Sequence, residues 1–121
     1  MATDKIKQIT KILKALSDES RIRIICLLKN KKDVCVCEIT EIIGLAQPTI
    51  SSHLRLLESA GLIESSKSGQ WVNYNINDSL DPFSMEYVNL LFNSLKEDIK
   101  IKKDAVKIRN INRNIICRKR A

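Results

Sequence analysis

Four cysteines, Cys26, Cys35, Cys37 and Cys117, carry the most distinctive chemistry in this sequence. Cys35 and Cys37 flank a single valine. In an α-helix, residues i and i+2 point about 200° apart, whereas in an extended segment they point the same way. A pair of thiolates gripping one ion therefore needs the start of this segment to be non-helical or to unwind. Thiolates select soft ions, and no histidine or carboxylate cluster competes for a hard one. A second reading makes the same cysteines a sensor of redox state or persulfides, in which an i, i+2 pair would close a strained disulfide. A thiol enzyme has little support: there is no Cys-x-x-Cys, no base beside a cysteine and one histidine, His53.

The elements that must position these residues follow from the hydropathy period. Ile6, Ile9, Leu13 and Leu16 keep helical spacing, and Ser17-Asp18-Glu19-Ser20 offers caps for a second helix to about Leu28. Glu38 to Ile43 predicts a short third helix stopped by Gly44, and Pro48 opens a fourth that runs to about Ala60, before Gly61. The period then changes to two. Leu62 to Lys67 and Trp71 to Ile76 flank Ser68-Gly69, which predicts a β-hairpin. Pro82 opens a last helix bearing Phe83, Tyr87, Leu90, Leu91, Leu95 and Ile99, expected to continue to about Ile108, some 40 Å at ~1.5 Å per residue. Its apolar stripe exceeds one small core and predicts a symmetric dimer through the first and last helices. The expected fold is mainly α with a small β-hairpin. Three helices, a short turn inside the last pair and a hairpin make a winged helix-turn-helix.

The chain has 121 residues, one domain's worth, with only three glycines and two prolines, too few for an all-β fold. The longest apolar run, Ile24 to Leu28, is far short of the ~20 residues of a membrane span. No apolar leader follows Met1, so a cytoplasmic location with reduced thiols is expected. Net charge is +7. Residues 1–95 hold eleven basic and eleven acidic residues, and residues 96–121 hold ten and three, so the excess lies at the C-terminal end. The expected organisation is a folded domain over residues 1–108 and a basic tail over 109–121. That tail is either a solvated, frayed end or a source of salt-screened phosphate attraction.

On the fourth helix, Ile50, Leu54 and Leu57 share a face that packs inward. Gln47, Thr49, Ser51, Ser52 and Arg55 point elsewhere, a set suited to base edges and phosphates. His53 is read as an orienting or phosphate-contacting group, and Lys67 is the one cation of the hairpin.

Three stretches together resemble the arsenical-resistance repressor (ArsR/SmtB) family of metal-responsive winged-helix repressors. Ala15 to Ile24 resembles its second helix, Gln47 to Leu57 its recognition helix, and Ala60-Gly61-Leu62-Ile63 through Gly69-Gln70-Trp71-Val72-Asn73-Tyr74 its wing. The resemblance implies a homodimer on an inverted-repeat operator of double-stranded DNA, released when an inducer binds. It places His53 on the DNA-facing helix. Ser52 and Gln70 stand where relatives often carry basic residues, which leaves Arg21, Arg23 and the tail to add phosphate contacts.

Cys35-Val36-Cys37-Glu38-Ile39 resembles the family's motif for soft metals and metalloids. The implied inducer is a thiolate-bound As(III) or Sb(III), or a thiophilic Cd(II) or Pb(II). Arsenite-type sites often add a cysteine where this chain has Thr40, so a third thiolate must come from elsewhere. Cys26 reads as a core residue. Cys117 is the better candidate: nine residues beyond Ile108 span up to ~30 Å, and Arg118-Lys119-Arg120 would favour its thiolate. The family's other common site, His and carboxylates on the last helix for zinc, is absent because no histidine follows His53.

Overall fold

The computed structural model describes residues 4–120, with side chains through Cys117. Seven helices and one hairpin run in the order α1 (Lys5–Ala15), α2 (Glu19–Asn30), α3 (Val36–Ile43), α4 (Gln47–Ser59), β1 (Ile63–Ser68), β2 (Trp71–Ile76), α5 (Pro82–Leu95), α6 (Ile99–Asn110) and α7 (Arg113–Arg120). Four aspartates start helices by accepting a backbone N–H from the first turn: Asp4 from Lys7, Asp18 from Arg21, Asp81 from Ser84 and Asp98 from Ile101.

The apolar run of α2 makes it the central helix, with Ile24, Ile25, Cys26, Leu27 and Leu28 all buried. Ile39 of α3, Ile50, Leu54 and Leu57 of α4, and Leu62 and Ile63 at the start of the hairpin complete the core around it. Gly44 takes a left-handed φ of +83° and ends α3, and Ala46 caps α4 three residues after Ile43. This is the expected helix-turn-helix. The hairpin pairs Ile63 with Ile76 and Ser68 with Trp71 around Gly69, whose φ is +61°. An added bridge ties it to the body: Val34 N–H donates to Tyr74 O at 3.2 Å and Tyr74 N–H to Val34 O at 2.8 Å.

Two expectations are corrected. The last helix is not continuous to Ile108. It breaks after Leu95, where Asp98 caps a new helix, α6, that packs along α2. Arg23 Nε and Nη2 hold the two carboxylate oxygens of Asp104 at 2.9 and 3.0 Å, while Ala105 and Ile108 enter the core. A fork of that kind rewards the break with two charge-assisted hydrogen bonds. Nor is the basic tail irregular over its described residues. Residues 113–120 form α7, which lies against α3.

Several apolar side chains stay uncovered, including Ile6 and Leu13 of α1 and Met85 and Leu90 of α5. These two helices adjoin, since Lys5 Nζ sits 5.3 Å from the Phe83 ring. Among the described residues no helix is long and apolar enough to cross a membrane.

Asp104 is almost fully buried, so removing it strands the Arg23 guanidinium beside a dry wall. Asp104→Ala is expected to lower the urea unfolding free energy by about 3 kcal/mol, while Lys100→Ala, which breaks only an exposed pair with Glu19, leaves it unchanged. Equal effects from the two would remove this pair as the anchor of α6.

Candidate thiol centre and nucleic-acid interface

The third helix starts at Val36, two residues earlier than the sequence suggests, and Cys35 is its cap with extended backbone (φ −95°, ψ 166°). Cys37 lies in the first helical turn. One thiol stands before the helix and the other within it, so both reach the same side without any unwinding. The requirement for an extended or unwound segment is thus met by a single residue. From α7, Cys117 completes a trio: the three Sγ atoms all lie within 4.8 Å of one another, with 3.9 Å between Cys35 and Cys117. Three sulfurs on one ion at bonds of ~2.3 Å lie at most ~4.0 Å apart, so closure needs movements below about 1 Å. The donor set and spacing fit one trigonal soft ion.

A buried carboxylate fixes this arrangement. Glu38 is fully buried and accepts the Cys35 N–H at 3.0 Å, the reach-back bond of a capping box. Lys31 neutralises it, and the same ammonium donates to Ile111 O at 3.4 Å, just ahead of α7. Arg113, at the start of α7, donates to Asn73 Oδ1 at 2.6 Å and to Asp33 O at 3.3 Å, and its guanidinium lies 4.6 Å from the Trp71 ring centre. Asp33 has a left-handed φ of +57°, held by reciprocal 2.9 Å bonds with Asn75. Sequence reasoning quoted Glu38 in the cysteine motif but missed it and Lys31 as the ion pair beneath the site, and missed Arg113 as the tie between α7 and the hairpin. The only trace was Trp71 and Asn73 on one face of a strand, and nothing in the sequence paired them with a cation forty residues on.

Burial governs two thiols of the trio. Burial pushes Cys117 well above the usual thiol range, and the neighbouring Cys37 and Cys35 reinforce it. Burial likewise raises Cys35, partly opposed by the Glu38 backbone N–H. The side chains of Arg118, Lys119 and Arg120, expected to favour the Cys117 thiolate, lie outside the described ones. Cys26 stands apart on α2, buried as expected, with its thiol raised to about 11 by burial. Thr40, buried two residues past Glu38, has an Oγ1 with no hydrogen-bond partner.

On α4 and the hairpin, Gln47, Thr49, Ser52, Arg55, Lys67 and Gln70 are exposed, while Ser51 and His53 are half-buried. His53 turns toward α2: its Nδ1 accepts from Arg21 Nη1 at 3.0 Å, and its Nε2 is 4.0 Å from Asp18. Arg21 also donates to Ala15 O and Lys14 O, closing the end of α1. Arg21 and Arg23 are thus engaged inside the fold and are not spare cations for phosphates. The ring of His53 orients α4 against α2.

Residues 18–65, from the α2 cap into β1, match the profile described as bacterial regulatory protein, arsR family. Cys117 and Arg113 lie beyond that stretch. The arsenic resistance transcriptional regulator ArsR1 of Pseudomonas putida is 39% identical over 66 residues, 54% of this chain and 52% of that protein, so the aligned part is about half its length. The arsenical resistance operon repressor of Escherichia coli K12 is 33% identical over 78 residues, 64% of this chain and 67% of that one. Among solved structures, HlyU from Vibrio cholerae superimposes with a TM-score of 0.66 at 25% identity, covering 79% of this chain and all of that one. The order of elements, the helix-turn-helix and hairpin, and these similarities agree: the chain belongs to the arsR family of bacterial regulatory proteins, transcriptional regulators built on a winged helix-turn-helix.

Proposed function

We propose that this protein is a homodimeric transcriptional repressor that leaves an inverted-repeat operator when Cys35, Cys37 and Cys117 capture a thiophilic metalloid. It acts in the cytoplasm, on DNA. The observation that carries this reading is the trio of sulfurs within 4.8 Å, set at the first helix of the helix-turn-helix. The exposed apolar side chains of α1 and α5 supply the face for a second copy. Gln47, Thr49, Ser51, Ser52 and Arg55 of α4 face the bases and phosphates. Lys67 and Gln70 of the hairpin reach the backbone, and His53 holds α4 in register.

The raised Cys35 and Cys117 thiols favour arsenite or antimonite over cadmium or lead. Arsenous acid brings three hydroxyls. Each thiol proton leaves with one of them as water while an S–As bond replaces an O–As bond, so no net proton is released. A divalent cation must instead expel the protons to solvent, at about a tenfold cost in affinity per proton per pH unit. A redox reading through the same cysteines draws on the 3.9 Å approach of Cys35 to Cys117. The same raised pKa values disfavour it, since oxidation follows thiolate character.

Operator release titrated with arsenite should be nearly flat between pH 6 and 8. Release by cadmium should strengthen by at least about tenfold per pH unit as pH rises toward the thiol range. A steep arsenite slope would argue against capture by neutral thiols.

Cys35→Ser and Cys37→Ser should bind the operator but fail to respond. Cys117→Ser should respond only at higher arsenite, and Cys26→Ser should match wild type. Full response in Cys117→Ser, with loss in Cys26→Ser, would move the third ligand to α2.

Gln47→Ala should relax base preference by about 1–3 kcal/mol in competition gel retardation, the loss of one good base contact. Unchanged discrimination with undiminished affinity would take Gln47 off the reading face.

A further inference from the structure

We propose that α7 is a strap that carries the state of the thiol centre to the hairpin wing, with Arg113 as its clamp. This deepens the reading above and rests on ion capture at the same three cysteines. The two ends of the strap are one helical turn apart. Arg113 and Cys117 are related by i, i+4 and so lie on one side of the helix. Cys117 faces Cys35 and Cys37 at the start of α3, and Arg113 faces β2.

The clamp has little slack. The 2.6 Å bond from Arg113 to Asn73 Oδ1 is short and directional, and Asn73 is buried, so its oxygen has no water to replace the guanidinium. The same guanidinium covers Trp71, which pairs with Ser68 at the wing tip next to Gly69 and Gln70. A second tie runs in parallel. Asp33 and Val34, immediately before Cys35, are bonded to Asn75 and Tyr74 of β2. Two of the three sulfurs are therefore within a few bonds of a strand that carries the wing. Drawing the trio together by a fraction of an ångström moves α7 along a helix too short to bend, and the wing follows. Coupling through the wing needs no unwinding of α3, in keeping with a helix that begins after Cys35.

Trp71 is the only tryptophan, so its emission reports the clamp directly. The full chain is titrated with antimonite while thiolate–metalloid absorbance, Trp71 emission and operator release are followed on wild type, Arg113→Ala and Arg113→Lys. In wild type all three signals should move together. In Arg113→Ala the absorbance should titrate within about twofold of wild type, Trp71 emission should no longer respond, and release should need roughly tenfold more antimonite. Arg113→Lys, which keeps the charge and loses the planar fork, should fall between. Release of Arg113→Ala at wild-type concentrations, or flat wild-type emission under a rising absorbance band, overturns the strap. If no band forms in wild type, ion capture is what fails, and the strap is then judged without metal. N-ethylmaleimide on Cys117, in a chain carrying Cys26→Ser, Cys35→Ser and Cys37→Ser, adds bulk at the same end of α7. It should shift Trp71 emission with Arg113 present and leave it unmoved with Arg113→Ala; no shift in either overturns the strap.

Discussion

A carboxylate with no exposure to water sits at the start of α3, and much of the molecule is arranged around satisfying it. Glu38 is stable there only because Lys31 supplies an opposite charge and the Cys35 N–H supplies a hydrogen bond. The bond to Cys35 sets where the helix begins, which places one thiol outside it and one inside. The bond from Lys31 reaches on to Ile111 O, which brings the chain back across α3 in position to form α7. One buried ion pair thus specifies both the geometry of the local cysteine pair and the approach of the distant third.

The path of the chain to that point depends on a second buried pair. Arg23 and Asp104 hold α6 along α2, and α6 delivers residues 111–117 to the face of α3. Had the last helix run straight on from Leu95, the same residues would have pointed away from the body. Asp98 ends that possibility by capping a new helix. The two pairs act in series: one folds the C-terminal segment back, and the other receives it.

At the thiol centre, burial raises both Cys35 and Cys117 above the usual thiol range. Under the proposed reading, such thiols suit a partner that removes their protons as water better than one that leaves them behind. The centre joins α3 to α7. Its neighbours are structural: a hairpin strand bonded to the residues before Cys35, and an arginine one turn from Cys117 that rests on that strand.

Much was legible in the residues themselves. Period and caps located α1, α2, α4 and the hairpin, because each carries its own stripe, proline, glycine or aspartate, and those are local preferences. The Cys35–Cys37 pair and the exposed polar set on α4 were equally visible. The break at Asp98 was not. An aspartate inside an apolar stripe is a cap only if the following helix finds a surface, and that surface is α2, eighty residues earlier. The helical α7 was hidden for the same reason: its composition read as solvated, and only the contacts of Arg113 and Cys117 with the hairpin and α3 show that it packs. The sequence by itself determined a winged helix-turn-helix with two cysteines flanking one valine at its first helix, since those depend on neighbours along the chain. Tertiary structure alone decided that Cys117 joins the pair, that His53 faces Arg21, and that Arg113 meets Trp71. Each of those contacts closes between groups at least thirty residues apart, where spacing in the chain says nothing about distance in space.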